Sequence, residues 1–327
     1  MLKKRNASNI HTKLKAFFMR SEFFILMVIL LISLLLTLQD STFISVNNII
    51  SMLGTFSFSA MVSIPLAFVL IAKLRDMSIG AVTGMLGAIL ALLMKTFDLN
   101  PFFALFIVMV VGALVGFLNS LLIVNLRISA YIVTLAMMYI CRGVHQVLAQ
   151  ARSITGLPSS LTSLAGVKLF GLPLNIYALL LLAVLAYLLL HKTNFGKNVF
   201  IIGNNSTIAK TSGIAVERTQ RILYIITGCV CAVSAFFLCI TYRAANITAG
   251  TGWEFEVTAG CILGGCSLYG GKGSVAGALL GMLLMTVIRY ALQALRMNTS
   301  GYQILITGAI LIVSVVVDVT REKKLKA

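Results

Sequence analysis

Apolar runs recur along the whole chain, each about as long as a lipid bilayer is thick and each closed by a short polar or basic connection. No Asp, Glu, Lys or Arg occurs in 41–72, 99–126, 169–191, 222–242 or 297–317. A helix of about 20 apolar residues crosses roughly 30 Å of hydrocarbon, so these runs predict membrane-spanning helices. The pattern places spans at 22–38, 50–72, 78–94, 101–124, 129–149, 173–190, 222–241, 255–270, 274–293 and 302–318. The expected fold is all-α, a polytopic membrane protein of about ten transmembrane helices. Segment 255–270 is the weakest, because Gly260, Gly264, Gly265, Gly270 and Gly271 interrupt it. It is either a short span or a broken, partly re-entrant one, and irregular backbone of that kind survives in a membrane only where protein or a water-filled cavity satisfies it.

Composition agrees and adds an orientation. Of 327 residues, 59% are hydrophobic and 11% charged, where a soluble domain carries about a quarter charged residues. A disordered polymer, a disulfide scaffold and an ordinary water-soluble enzyme are thereby excluded. Lys and Arg outnumber Asp and Glu by 26 to 9, for a formal charge of +17. Most of the excess sits at the ends and in one loop. Lys3, Lys4, Arg5, Lys13, Lys15 and Arg20 precede the first apolar run, and Arg321, Lys323, Lys324 and Lys326 follow the last. Lys192, Lys197, Lys210, Arg218 and Arg221 share the 191–221 connection. Short basic loops stay on the cytoplasmic side, so the charge reads as topology and not as a nucleic-acid surface.

Both termini are then expected in the cytoplasm of a multi-pass protein of the bacterial cytoplasmic (inner) membrane, in contact with lipid. Residues 1–21 form a basic cytoplasmic segment, 22–318 a single membrane domain and 319–327 a basic cytoplasmic tail. Connections 39–49 and 150–172 fall outside, the latter despite Arg152 and Lys168. No small-residue cleavage site follows the first apolar run, which reads as a retained helix. The six cysteines lie inside apolar segments without a C-x-x-C pair, and His11, His145 and His191 are isolated, so no metal site is indicated.

A faint internal repeat divides the chain. Asp76-Met-Ser-Ile-Gly80 parallels Glu256-Val-Thr-Ala-Gly260, and Gly112-Ala-Leu-Val-Gly116 parallels Gly277-Ala-Leu-Leu-Gly281. Leu126-Arg127-Ile128 and Leu295-Arg296-Met297 follow in turn. With the expected topology the halves, about 50–149 and 222–318, run in opposite senses, which makes an inverted repeat of the kind that places a transport pathway at its interface. Chance is the alternative, since Gly-Ala-Leu strings are common in packed membrane helices.

Within the 191–221 loop that joins the halves, Ser206–Ser212 predicts a two-turn helix, with Asn205 or Ser206 as N-cap and Gly213 at the left-handed position after it. A short capped cytoplasmic helix suits a soluble partner; a merely solvated loop is the alternative. The run Gly264–Ser274 invites comparison with a phosphate-binding loop, but the pattern ending at Gly271-Lys272 needs Gly at 266 and Ser or Thr at 273, where Cys266 and Gly273 stand. Ionisable residues within spans are functional candidates by default: Arg142, Glu254, Glu256 and Arg289. A structural role, with an arginine paired to a glutamate or the glutamates reaching the interface, weighs equally.

These segments together resemble the permease subunits of carbohydrate ABC importers, the ribose/xylose/arabinose/galactose group that includes autoinducer-2 permeases. The likeness runs from about residue 45 to 318. It rests on Lys73-Leu-Arg-Asp-Met-Ser-Ile-Gly80, on Ala130-Tyr-Ile-Val-Thr-Leu-Ala136 with Arg142-Gly143, on Ile202-Gly-Asn-Asn205 with Ala209-Lys-Thr-Ser-Gly-Ile214, and on Gly250-Thr-Gly-Trp-Glu-Phe-Glu256 through Ser267-Leu-Tyr-Gly-Gly-Lys-Gly273. The chain departs from the family where Lys73-Leu74 replaces Gly-Gly, Ala130 a proline, Ala136 a glycine and Glu256 an aspartate. The first two departures bear on helix-break geometry and on the substrate, and fit a divergent member or one half of a heterodimer.

The resemblance implies a BtuC-like, type II ABC importer permease architecture. A second permease copy, identical or not, would complete the channel. A cytoplasmic ABC ATPase would bind the 191–221 loop, and an external or periplasmic sugar-binding protein would deliver a sugar. No cofactor is expected in this chain, ATP and Mg being bound by the partner ATPase, and no catalytic residue either. Gly203, Asn204, Asn205, Ser206, Ala209, Ser212 and Gly213 are the expected ATPase-coupling residues. Asp76, Ser78, Thr134, Arg142, Glu254 and Glu256 are the pathway candidates. The competing readings are an amino-acid ABC permease, a stand-alone secondary transporter and a membrane-embedded enzyme. No His/Asp/Glu or Ser/His constellation falls within the spans to support the last.

Overall fold

The structure, a computed structural model, describes residues 21–297 and 300–326. The basic N-terminal segment therefore lies outside the described residues up to Arg20, as does Ala327. The long helices are α1 (Ser21–Gln39), α2 (Val46–Ile71), α3 (Ile79–Phe97), α4 (Pro101–Ser120), α5 (Ala130–Leu148), α6 (Leu174–Lys192), α9 (Val216–Tyr242), α11 (Val275–Ala294) and α12 (Ser300–Lys326). Shorter helices are α7 (Asn194–Asn204), α8 (Ser206–Thr211) and α10 (Trp253–Leu263). One two-residue hairpin pairs β1 (Lys168–Leu169) with β2 (Leu172–Pro173). Among the described residues nine helices are long and apolar enough to cross a membrane. The protein is an all-α polytopic membrane protein.

The weak eighth span, 255–270, resolves into the 11-residue α10. A helix of that length covers about 17 Å, half of what a bilayer requires. It stops at Gly264, and Gly265, Gly270 and Gly271 follow with φ of 95°, 82° and 72°, the left-handed backbone in which glycine carries no steric cost. The glycines thus end the helix and shape an irregular connector. The 191–221 connection is also more ordered than expected. Thr193 caps α7, its Oγ1 accepting from the Gly196 amide at 3.2 Å, and the i, i+4, i+7 series Phe195, Val199, Ile202 turns the helix onto the bundle. α12 likewise continues through Lys326, beyond the span expected to end at 318.

The most buried helix is α2, which is sealed from Phe56 to Ile71 and touches α9, α11, α10 and α6. α9 takes the complementary place against α4, α3 and α2. Exchanging α2–α5 with α9–α12 reproduces this pattern: α9 on α4 matches α2 on α11, α9 on α3 matches α2 on α10, and α3 on α5 matches α10 on α12. The two paired glycine motifs nevertheless meet different neighbours. Gly112 and Gly116 bring α4 against the Gly228 and Tyr224 backbone of α9, whereas Gly277 and Gly281 bring α11 against Gly264 and Gly260 of α10. Small residues allow helix backbones this close an approach.

Cross-helix bonds fix directions. Ser234 Oγ donates to Phe58 O at 2.9 Å, and Tyr224 OH reaches Arg75 O, just past the end of α2, at 2.8 Å, so α9 runs antiparallel to α2. The thiols of Cys231 and Cys239 donate to Ile79 O and Gly87 O, both at 3.5 Å, so α9 runs parallel to α3. Ile71 and Tyr242 therefore mark opposite ends of the bundle. After each of them the chain turns back inward before the next helix starts, through connector 72–78 and connector 243–252.

Candidate re-entrant centre and coupling face

The two inward-turning connectors meet. A side-chain carbon at Gly80 would overlap the Gly250 carbonyl, and one at Gly250 would overlap that of Gly80. One turn further along α3, Gly84 faces Ala249 O and the His145 ring. The starts of α3 and α10, which run in opposite directions, thus abut through glycine backbone, and every sequence-derived pathway candidate lies on or beside this junction.

Asp76, Ser78 and Thr134 form its side toward Ile71. All three are buried. Asp76 Oδ1 accepts from Ser78 N at 2.9 Å and from Ser78 Oγ at 2.6 Å, a local turn that starts α3. Thr134 Oγ1 accepts from Met77 N at 3.1 Å and donates to Ala130 O at 2.7 Å, which ties α5 to the connector. Asn119 Nδ2 donates to Ser78 Oγ at 3.2 Å from α4, and Tyr224 OH donates to Arg75 O at 2.8 Å from α9. Burial pushes the Asp76 carboxyl up to about 6, against the two Ser78 hydrogen bonds that act to lower it.

Arg142, Glu254 and Glu256 form the other side, and the structure separates their roles. Arg142 reaches from α5 to clamp the second connector: Nη1 donates to Ala249 O at 3.1 Å and Thr251 Oγ1 at 3.0 Å, and Nη2 to Gly250 O at 3.2 Å. Glu256 pairs instead with Arg289 of α11. Glu254 is buried at the start of α10, its Oε2 beside Gly80 and without a hydrogen-bond partner among the described residues. Sequence reasoning passed over His145, which is fully buried with both ring nitrogens unpartnered among the described residues. It sits three residues past Arg142 on the same helix face, and that spacing was the available signal. Asn119, a lone amide in the apolar run of α4, was missed as well.

The coupling candidates gather at the Ile71 end. Asn205 caps α8, its Oδ1 accepting from Thr207 N at 3.0 Å and Ile208 N at 3.1 Å. Gly213 closes the helix with φ of 80°, after Ser212 N donates to Ile208 O at 3.0 Å; Gly213 N donates to Lys210 O and Ile214 N to Ala209 O, both at 3.1 Å. Ala209 is buried, in a small apolar knot with Ile202 and Val216, while Ser206 and Ser212 face outward. Gly203 is the anchor. It lies against Ile71 O and the Gly271 amide, and Gly270 lies against Gly203 O. Asn204 packs on Gly271, and Gly271 N donates to Ile71 O at 2.8 Å. The glycine-rich run therefore serves as a joint between α2, α7 and α10. Asp318 of α12, also unforeseen, braces it by accepting from Leu268 N at 2.9 Å and Ser267 Oγ at 3.2 Å.

Comparison with known proteins places this geometry in context. Residues 48–315 match the family described as branched-chain amino acid transport system / permease component. The chain is 28% identical over 306 residues to the ribose import permease protein RbsC of Haemophilus influenzae, covering 92% of this chain and 94% of the relative. It is 30% identical over 303 residues to the autoinducer 2 import system permease protein LsrD of Photorhabdus luminescens, covering 90% of each. RbsC of Escherichia coli K12 is 28% identical, with 93% of this chain and 95% of the relative covered. No solved structure matches the chain.

Proposed function

We propose, from the premise that this chain belongs to the branched-chain amino acid transport system / permease component family, that it is the permease subunit of an ATP-driven importer for a monosaccharide or a related sugar-like solute. The relatives named for ribose and autoinducer 2, matched over nine-tenths of the chain, carry the substrate class. ATP and Mg would be bound by a cytoplasmic ABC ATPase, an external binding protein would hand over the solute, and a second permease copy would complete the channel. Both termini and α8 would then face the cytoplasm of the inner membrane.

A single observation supports the coupling mechanism: Gly203 is packed against both Ile71 and Gly270–Gly271. A push on α7–α8 by a closing ATPase would reach the ends of α2 and α10 through backbone contact, with no flexible side chain between. From there the two connectors lead to the Gly80–Gly250 junction, where Asp76, Ser78, Thr134, Arg142, Glu254 and Glu256 would line or position the opening pathway. Transport needs such a bistable element and not a tight site.

The family description itself favours a second reading, an amino-acid permease. Recovery of the tagged chain from its native membrane in mild detergent tests both. Co-recovery of a P-loop ATPase and an exported binding protein that takes up sugar supports the proposal. A binding protein that takes up leucine or valine supports the second reading, and a chain recovered alone contradicts both.

A further inference from the structure

At the Tyr242 end, away from α8, the bundle holds a cavity of about 280 Å³. It is walled by the last turns of α9, parts of α2 and α3, and the connector residues Ala244–Asn246 and Thr248–Gly250. Ligand sites usually run from about 300 to 1,000 Å³, so this one suits a solute of a single small ring. Its lining is mixed in a chain that is otherwise apolar. Trp253 and Tyr242 supply aromatic surface, and Thr55, Thr83, Asn246 and Thr248 supply polar atoms. The Asn246 and Thr248 side chains make no hydrogen bond among the described residues, although their neighbours Ala245 and Ile247 are tied down through the backbone.

The charges restrict the occupant. Arg289 is the one charged residue in the lining, and it is engaged by Glu256. An anionic solute would have to compete with that carboxylate. A zwitterionic amino acid would find no acidic group for its ammonium, since no Asp or Glu lines the cavity. A neutral polyol meets neither obstacle: its hydroxyls match the amide and hydroxyl groups, and its C–H face matches an indole.

We propose that this cavity is a binding site for a neutral monosaccharide within the permease itself, an inference that rests on the sugar-importer reading. Occupancy has a direct structural consequence. Ala249 and Gly250 line the cavity and also accept the Arg142 hydrogen bonds, and Gly250 is the residue packed on Gly80. A sugar in the cavity therefore touches the segment that holds the two connectors together, so the permease registers solute before α8 moves.

Trp253 is the only tryptophan of the chain, which makes its emission a reporter of this site. The full chain is purified into lipid nanodiscs and titrated with D-ribose, D-galactose and, for comparison, L-leucine. The expected result is a saturable change in Trp253 emission with at least one sugar, at a millimolar midpoint, and none with leucine. Asn246→Ala and Thr248→Val should each raise the midpoint about fivefold, the effect of one lost hydrogen bond. Emission that changes only linearly, that responds equally to leucine, or that keeps the same midpoint in both variants would overturn the site. ATP-driven sugar uptake by the complete complex is measured in parallel. Uptake intact with no saturable emission change defeats the cavity alone, whereas an absent ATPase partner defeats the importer reading.

Discussion

Gly80 and Gly250 meet backbone to backbone, each occupying the volume that a side chain on the other would fill. Gly250 also has φ of 69°. The junction of the two connectors thus depends on the absence of two Cβ atoms. Gly80→Ala and Gly250→Ala should each destabilise the protein by about 1–3 kcal/mol, through overpacking and, at Gly250, backbone strain as well. Gly143→Ala is the control, because nothing lies within 4 Å of its Cβ position, and it should be neutral or slightly stabilising within α5. Thermal unfolding of the purified variants checks the order.

The Arg289–Glu256 pair joins α11 to α10 with a quarter of the Arg289 side chain and about a tenth of Glu256 exposed. Removing one partner strands the other. Glu256→Gln and Arg289→Met should each cost about 3 kcal/mol, toward the lower end for a buried pair, and the double variant should cost less than the sum. A double-mutant cycle measured by unfolding decides this. Strict additivity would mean that the pair is not coupled.

At the coupling face, Gly213 has open space around its Cβ position, and its constraint is conformational alone. Gly213→Asn, which tolerates the left-handed region, should keep transport. Gly213→Val should displace the end of α8 and leave ATP hydrolysis running without solute uptake. The ratio of solute moved to ATP hydrolysed is the readout, and an unchanged ratio in Gly213→Val removes α8 from the coupling mechanism.

Asp76 gives a pH signature. Its folded value near 6 lies above the 3.8 of an exposed carboxyl, so folding disfavours its ionised form. Stability from this group is retained while both states are protonated and is lost as pH rises through about 6. Asp76→Asn can still accept from Ser78. It should flatten the melting temperature between pH 5 and pH 8 and gain most on the wild type at the alkaline end (about two pH units above Asp76's value). A parallel pH dependence in both proteins would contradict the assignment.

Much of this was legible in the chain, for identifiable reasons. Charge-free runs set the long helices because hydrocarbon admits little else, and the N-cap at Asn205 and the glycine at 213 marked α8 by local rules. Glycine spacing at 260, 264 and 265 warned that the 255–270 segment was irregular, though only three-dimensional packing showed it to stop after 11 residues. Which glutamate takes an arginine was not legible: Glu254 and Glu256 are two residues apart, and helical rotation sends one to Arg289 and the other to Gly80. Two of the three partners of Arg142 are backbone carbonyls, which leave no trace in residue identity. His145 and Asp318 gained their positions from helices distant in sequence, as did the weld of Gly203 to Ile71 and Gly271.

The most direct measurement is uptake by proteoliposomes that hold this chain, its co-recovered ATPase and any second permease, with the loaded binding protein on the outer side. Accumulation of a monosaccharide that requires ATP inside the vesicle, and that stops when Gly203→Val detaches α7 from Ile71, is the expected result. Accumulation that proceeds without ATP, or that survives Gly203→Val in a folded complex, would contradict an ATP-driven permease worked through this joint.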